Sequence, residues 1–157
     1  MPVKVLKIQN DRYKEVPHPD IVDDLKKQGY ILSREGLLKD TVKSYLGRPA
    51  PAAITREYID SNLELFKKCE TIVQLLVRKN IKQHLVGSYS FKHVVECLLK
   101  EHYITNGEII LIMLWTGYGL QHDGGSSPNC SFSCTYSNSD LAQSLVNGQY
   151  GSVNIRF

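Results

Sequence analysis

The stretch that most restricts how this chain can fold is Thr105-Asn-Gly-Glu108 running into Ile109-Ile-Leu-Ile-Met-Leu-Trp115. Thr105 and Glu108 have the spacing of a capping box, in which each side chain satisfies the other's backbone N–H, and Ile104 stands where it can staple against Ile109. A helix over 106–116, stopped by Gly117, follows. Its apolar side chains point all round, so it must be central and covered on every side. The same run also fits a buried strand, and periodicity does not separate the two; the capping box favours the helix.

Covering such a helix takes a core of ordinary size. The chain has 157 residues, suited to one domain, and its 42% hydrophobic and 22% charged content excludes wholesale disorder and coiled-coil architecture. Its longest apolar run, 109–115, is far short of the roughly 20 residues that span a bilayer. The opening MPVKVLKIQND lacks the apolar stretch of a secretory signal, and the four cysteines are too sparse for a disulfide framework. The expectation is a soluble intracellular protein, nuclear or cytoplasmic, with no membrane partner. Without a secretory signal, the sequon Asn129-Cys130-Ser131 reads as a chance match.

Further helices are predicted around this centre. Asp20, Asp23 and Asp24 precede Lys26 and Lys27 as a helix dipole favours, with Gly29 as the stop. Ser33 suits the N-cap of a second helix reaching Leu46. The pair forms an N-terminal helical hairpin after a weak edge strand at 3–8. Arg48-Pro-Ala-Pro-Ala-Ala53 breaks regular hydrogen bonding. A long helix from Thr55 follows, its stripe Ile59, Leu63, Phe66, Cys69, Val73 and Leu76 recurring every three or four residues. Ser88 or Ser90 caps another, with Phe91, Val94, Val95, Leu98 and Leu99 on one face. Beyond Gln121 the chain is poor in charge and rich in serine, with a short strand expected over 130–136 and a short helix over 140–146. The fold expected is therefore mainly α: a small helical bundle, divided into an N-terminal strand and hairpin (1–47), a linker (48–54), a helical core (55–120) and a polar, partly irregular C-terminal segment (121–157).

Net charge is only +3, but its distribution is uneven. Residues 71–95 contain no Asp or Glu, while Arg78, Lys79, Lys82 and Lys92 lie there with His84 and His93. Such a cluster can neutralise phosphates by counterion release, and Tyr89 offers a ring for stacking. The simpler alternative is that Arg78 and Lys79 complement a helix C-terminus and the rest solvate a surface. His93 and Cys97, four apart on a helix, with Cys130 and Cys134, make a weakly spaced zinc candidate; no metal or cofactor is expected. Asn106 and Gly107 open a helix, a place for an anion, although capping by Thr105 accounts for them too. Catalytic signatures are lacking: there is no Gly-x-Ser-x-Gly elbow, Gly117-Tyr-Gly119 lacks its third glycine, and Glu96 and Glu101 read as helix-surface charges. His122-Asp123 beside Gly124-Gly125 reads as a polar loop.

Ser88-Tyr89-x-x-Lys92-His93-x-x-Glu96, Tyr103-Ile104-x-Asn106-Gly107-Glu108, Gly117-Tyr118 and the later Pro128-Asn129 resemble a pattern in small uncharacterised helical proteins of bacteria, mobile elements and large DNA viruses. The resemblance implies a compact helical module of viral or mobile-element origin and no particular activity. The bulky run Ile109–Trp115 departs from the small residues expected there.

Together these readings point to a non-enzymatic accessory protein that binds DNA or RNA through the 78–93 cluster. The alternative is a protein-interaction module that engages a host protein or a second copy of itself through Tyr136, Tyr150 and Phe157 in the low-charge tail.

Overall fold

The computed structural model describes residues 5–80, 82–84, 86–100 and 102–137. Within them the chain is mixed α/β, which corrects the expectation of a mainly helical bundle: five helices alternate with ten short strands. Every strand pair is antiparallel.

The largest departure lies between residues 30 and 49. After β1 (Lys7–Ile8), α1 (His18–Lys27) starts with a proline in its first turn, ends on two lysines and buries Ile21, Val22 and Leu25. No second helix follows. Instead β2 (Tyr30–Ser33) and β3 (Gly36–Lys39) form a hairpin with Ser33 opposite Gly36. Ser33 caps no helix: its Oγ accepts the Glu35 N–H and donates to the Gly36 carbonyl, both at 3.2 Å. Gly36 takes φ +142°, a backbone conformation that side chains resist. Serine first and glycine fourth is a turn signature, and it was the available signal. A second hairpin, β4 (Ser44–Tyr45) and β5 (Arg48–Pro49), turns through Leu46 and Gly47 at φ 52° and 74°, the paired positive angles of a tight two-residue loop. The expected helical hairpin is thus two β-hairpins, and the stretch expected as a linker is part strand, with Ala53 bridged to Ser33.

The long helix divides. Thr55 caps α2 (Arg56–Ser61) by accepting the Tyr58 N–H at 3.1 Å, and α3 (Leu63–Leu76) follows after Asn62 leaves helical angles. The apolar stripe survives the break except at Leu63, which is exposed; Ile59, Phe66, Cys69, Val73 and Leu76 are buried, together with Ile72, which the stripe had not included. Next come β6 (Val77–Lys79), β7 (Val86–Gly87) and α4 (Ser88–Leu99). Neither Ser88 nor Ser90 caps α4; Ser88 is buried and its Oγ accepts the Cys130 N–H at 3.1 Å, tying the helix to a strand.

α5 (Asn106–Trp115) carries the complete capping box, and every residue from 106 to 114 is buried. It is the centre of the molecule, packed against α1, α3, α4 and β3. Gly107 lets it approach the first hairpin: a Cβ there would lie 1.6 Å from the Ser33 carbonyl oxygen. β8 (Leu120–His122), β9 (Cys130–Phe132) and β10 (Cys134–Tyr136) complete the described chain. They place a four-stranded sheet in the order β1-β8-β9-β7, while β10 pairs with β6. The short helix expected over 140–146 lies outside the described residues.

Candidate ligand-binding groove

A groove of about 770 Å³ is assembled from several separate parts of this fold. The β2–β3 turn contributes Arg34 and Glu35, and the second hairpin contributes Tyr45 and Leu46. From α4 and the segment leading to α5 come Tyr89, Lys92 and Tyr103. Thr105 and Asn106 at the start of α5, with Pro128 and Asn129 before β9, supply the rest of the polar lining. Six of these residues, Tyr89, Lys92, Tyr103, Asn106, Pro128 and Asn129, belong to the pattern quoted for the resemblance.

Lys92 is the cation at the centre of this arrangement. It is only 4% exposed, and its Nζ lies 2.8 Å from Glu96 Oε1 and 5.2 Å from the ring centres of both Tyr89 and Tyr103. Buried charge is tolerated only when paired, and here a carboxylate and two π-faces share the task. His93, one residue on, is exposed; it stands edge-on to Tyr89 at 4.6 Å and 3.7 Å from Glu96. Arg34 lays its guanidinium 5.1 Å from the Tyr58 ring. Burial, then the charge of Glu35 and the nearby Tyr89, raise the Tyr45 hydroxyl above its ordinary pKa.

Asn106 organises the polar side. Its Nδ2 donates toward the Glu35 carbonyl at 3.1 Å, the Pro128 carbonyl at 3.2 Å and Asn129 Oδ1 at 2.9 Å. The helix start is less open to an anion than its sequence suggested. The Gly107 N–H is taken by the Arg34 carbonyl at 3.1 Å, and the Thr105 and Glu108 N–H groups are used by the capping box.

The 78–93 cluster does not stay together as one patch. Lys92 and Tyr89 line the groove, whereas Arg78, Lys79, Lys82 and His84 do not. Arg78 and Lys79 are exposed on β6, and Lys79 is ion-paired with Asp11. Lys82 is exposed in the loop beyond, and burial, then the charge of Lys7, lower the His84 pKa. Among the described residues no three His, Cys, Asp or Glu side chains are grouped to hold a metal. Cys97 is exposed, while Cys130 and Cys134 are buried, and burial pushes the Cys130 thiol up. His122 is no loop residue: it is fully buried, with Nε2 2.7 Å from the Leu37 carbonyl and 2.8 Å from that of Ser127, while Nδ1 accepts the Gly124 N–H. These partners assign its proton to Nε2 and make it a structural post. Of the tail tyrosines, Tyr136 stands 6.1 Å from Phe91 in an edge contact; Tyr150 and Phe157 lie outside the described residues.

Sequence reasoning missed Arg34, Tyr45 and Tyr103. The first two sat in a stretch taken for helix, and nothing local links Tyr103 to them. No family model, curated protein or solved structure matches the chain.

Proposed function

We propose that this chain binds single-stranded nucleic acid in the groove, as a binding protein rather than an enzyme. The observation that carries the reading is that three tyrosines, Tyr45, Tyr89 and Tyr103, line one groove together with Arg34 and Lys92. Splayed bases stack on aromatic faces with little regard to sequence, each stack contributing about 1–3 kcal/mol, while phosphates meet the exposed Arg34. A duplex keeps its bases stacked on one another and offers them no such contact. Exposed Arg78 and Lys82 then act at longer range, drawing a polyanion toward the molecule.

Fluorescence anisotropy with short single- and double-stranded DNA and RNA, at low and physiological salt, tests this. Single strands should bind more tightly than duplexes, and affinity should fall steeply with salt. Tyr89→Ala should weaken binding about fivefold or more. Arg34→Glu should weaken it and flatten the salt dependence. Unchanged affinity in both variants would remove the groove as the site. A second reading, a protein-docking edge, is favoured by Leu46 and Tyr103, which line the same groove at 79% and 68% exposure. Absence of nucleic-acid binding even at low salt would favour that edge.

A further inference from the structure

We infer that Lys92 takes no phosphate and is instead the positioning residue that holds Tyr89 and Tyr103 as a pair of stacking platforms; this rests on the nucleic-acid reading above. Lys92 lines the groove, but its side chain is only 5% exposed and its Nζ lies 2.8 Å from Glu96 Oε1. A phosphate reaching that ammonium would have to displace the carboxylate and leave Glu96 largely buried without its cation. Of the two cations on the lining, Arg34 is the exposed one.

The two rings are carried by different kinds of backbone. Tyr89 stands in the first turn of α4, three residues before Lys92, so the two side chains share a helix face. Tyr103 comes from the irregular segment that joins α4 to α5, shortly after Lys100 at φ 63°. Fully buried Ile104 anchors the chain beside it, but Tyr103 itself is 68% exposed and Tyr89 54%, so packing does little to fix either ring. The Lys92 ammonium lies 5.2 Å from the centre of each. Twice that distance is the most the two ring centres can be apart, and one short strand can reach both. Glu96, on the next turn of α4, fixes the ammonium in its turn. A buried ion pair thereby sets the spacing between a helix residue and a loop residue. Rings held before the ligand arrives lose little rotamer freedom on stacking, and the ordering cost they avoid appears as affinity.

The test is the double variant Lys92→Met/Glu96→Gln, which removes both charges of the pair and leaves the net charge of the protein unaltered. Its affinity for a labelled oligodeoxythymidine strand, followed by anisotropy over a salt series, should fall about fivefold at every salt concentration. The slope of log affinity against log salt should stay the same. A slope shallower by about 0.7, the value for one lost phosphate contact on a single strand, overturns the inference, and so does unchanged affinity. In Tyr103→Ala one platform is already gone, so the same double substitution should cost clearly less than fivefold; an undiminished loss overturns the positioning role. A further readout needs no nucleic acid. The ring-proton NMR signals of Tyr103 in the free protein should move toward those of free tyrosine in the double variant, and in Lys92→Met alone should the double variant not fold. Unmoved signals overturn the inference whatever the binding result. Moved signals in a protein that binds no strand even at low salt overturn the stacking role together with the nucleic-acid reading.

Discussion

Lys92 and Glu96 form a pair in which the two partners are unequal. The Lys92 side chain is 5% exposed and that of Glu96 is 19%. Removing Glu96 leaves a buried ammonium without its carboxylate, whereas Lys92→Met removes the charge and keeps the stem's packing. Glu96→Ala should therefore cost several kcal/mol, about 3 or more, and Lys92→Met close to none, by urea denaturation. His18 offers a pH test. It is stacked on Trp115 at 4.9 Å, and burial lowers its pKa below the ordinary 6.5. The unfolded chain then takes up a proton before the folded one does, so the stability contribution is complete above about pH 6.5 and declines as pH falls below it. Thermal melts from pH 8 to pH 5 should show a falling midpoint, and His18→Phe, which keeps an aromatic ring against Trp115, should flatten that slope. His84 shifts in the same direction, so some slope should remain. At this scale the sequence was read correctly for residue type and wrongly for surroundings: Lys92 looked like one more surface cation because chain neighbours say nothing about Tyr103 or the depth of α4.

Elements were legible wherever punctuation and periodicity agreed. α5 has a cap, a box and a stop, and it forms between the residues those signals mark. Thr105→Ala should cost about 1–2 kcal/mol, more than Thr55→Ala, because Thr105 is buried within a reciprocal box whereas Thr55 is exposed and its hydroxyl only accepts the Tyr58 N–H. Urea midpoints of the two variants check the order. The stretch after Ser33 misled for a physical reason: Leu38, Val42, Tyr45 and Leu46 recur at spacings of three or four and suit a helix face. Gly36 and Gly47 decide for hairpins, through angles that no periodicity count contains. Gly107→Ala belongs here too, since its added carbon would meet the Ser33 carbonyl oxygen and push α5 from the first hairpin. It should destabilise the fold by about 2 kcal/mol or more and loosen the groove with it.

At the scale of the molecule, the site was the least legible part. Its residues come from 34–35, 45–46, 51–52, 89–92, 103–106 and 128–129, and reading along the chain groups cations that the fold separates. Tyr89 and Lys92 were found, Asn106 was noticed for its backbone rather than its amide, and Arg34 and Tyr45 were hidden by the helix assignment. Their convergence depends on contacts distant along the chain, the Leu37 N–H donating to the Pro128 carbonyl and Asn106 Nδ2 donating to the carbonyls of Glu35 and Pro128. Pairings so distant along the chain make for a high contact order, and loop closure must precede any reward from them. Refolding followed by the fluorescence of Trp115 should accordingly take milliseconds to seconds rather than microseconds. For a chain emerging from the ribosome, the groove has no existence until Asn129 is out, so a nascent or prematurely ended polypeptide cannot compete with the finished one for ligand.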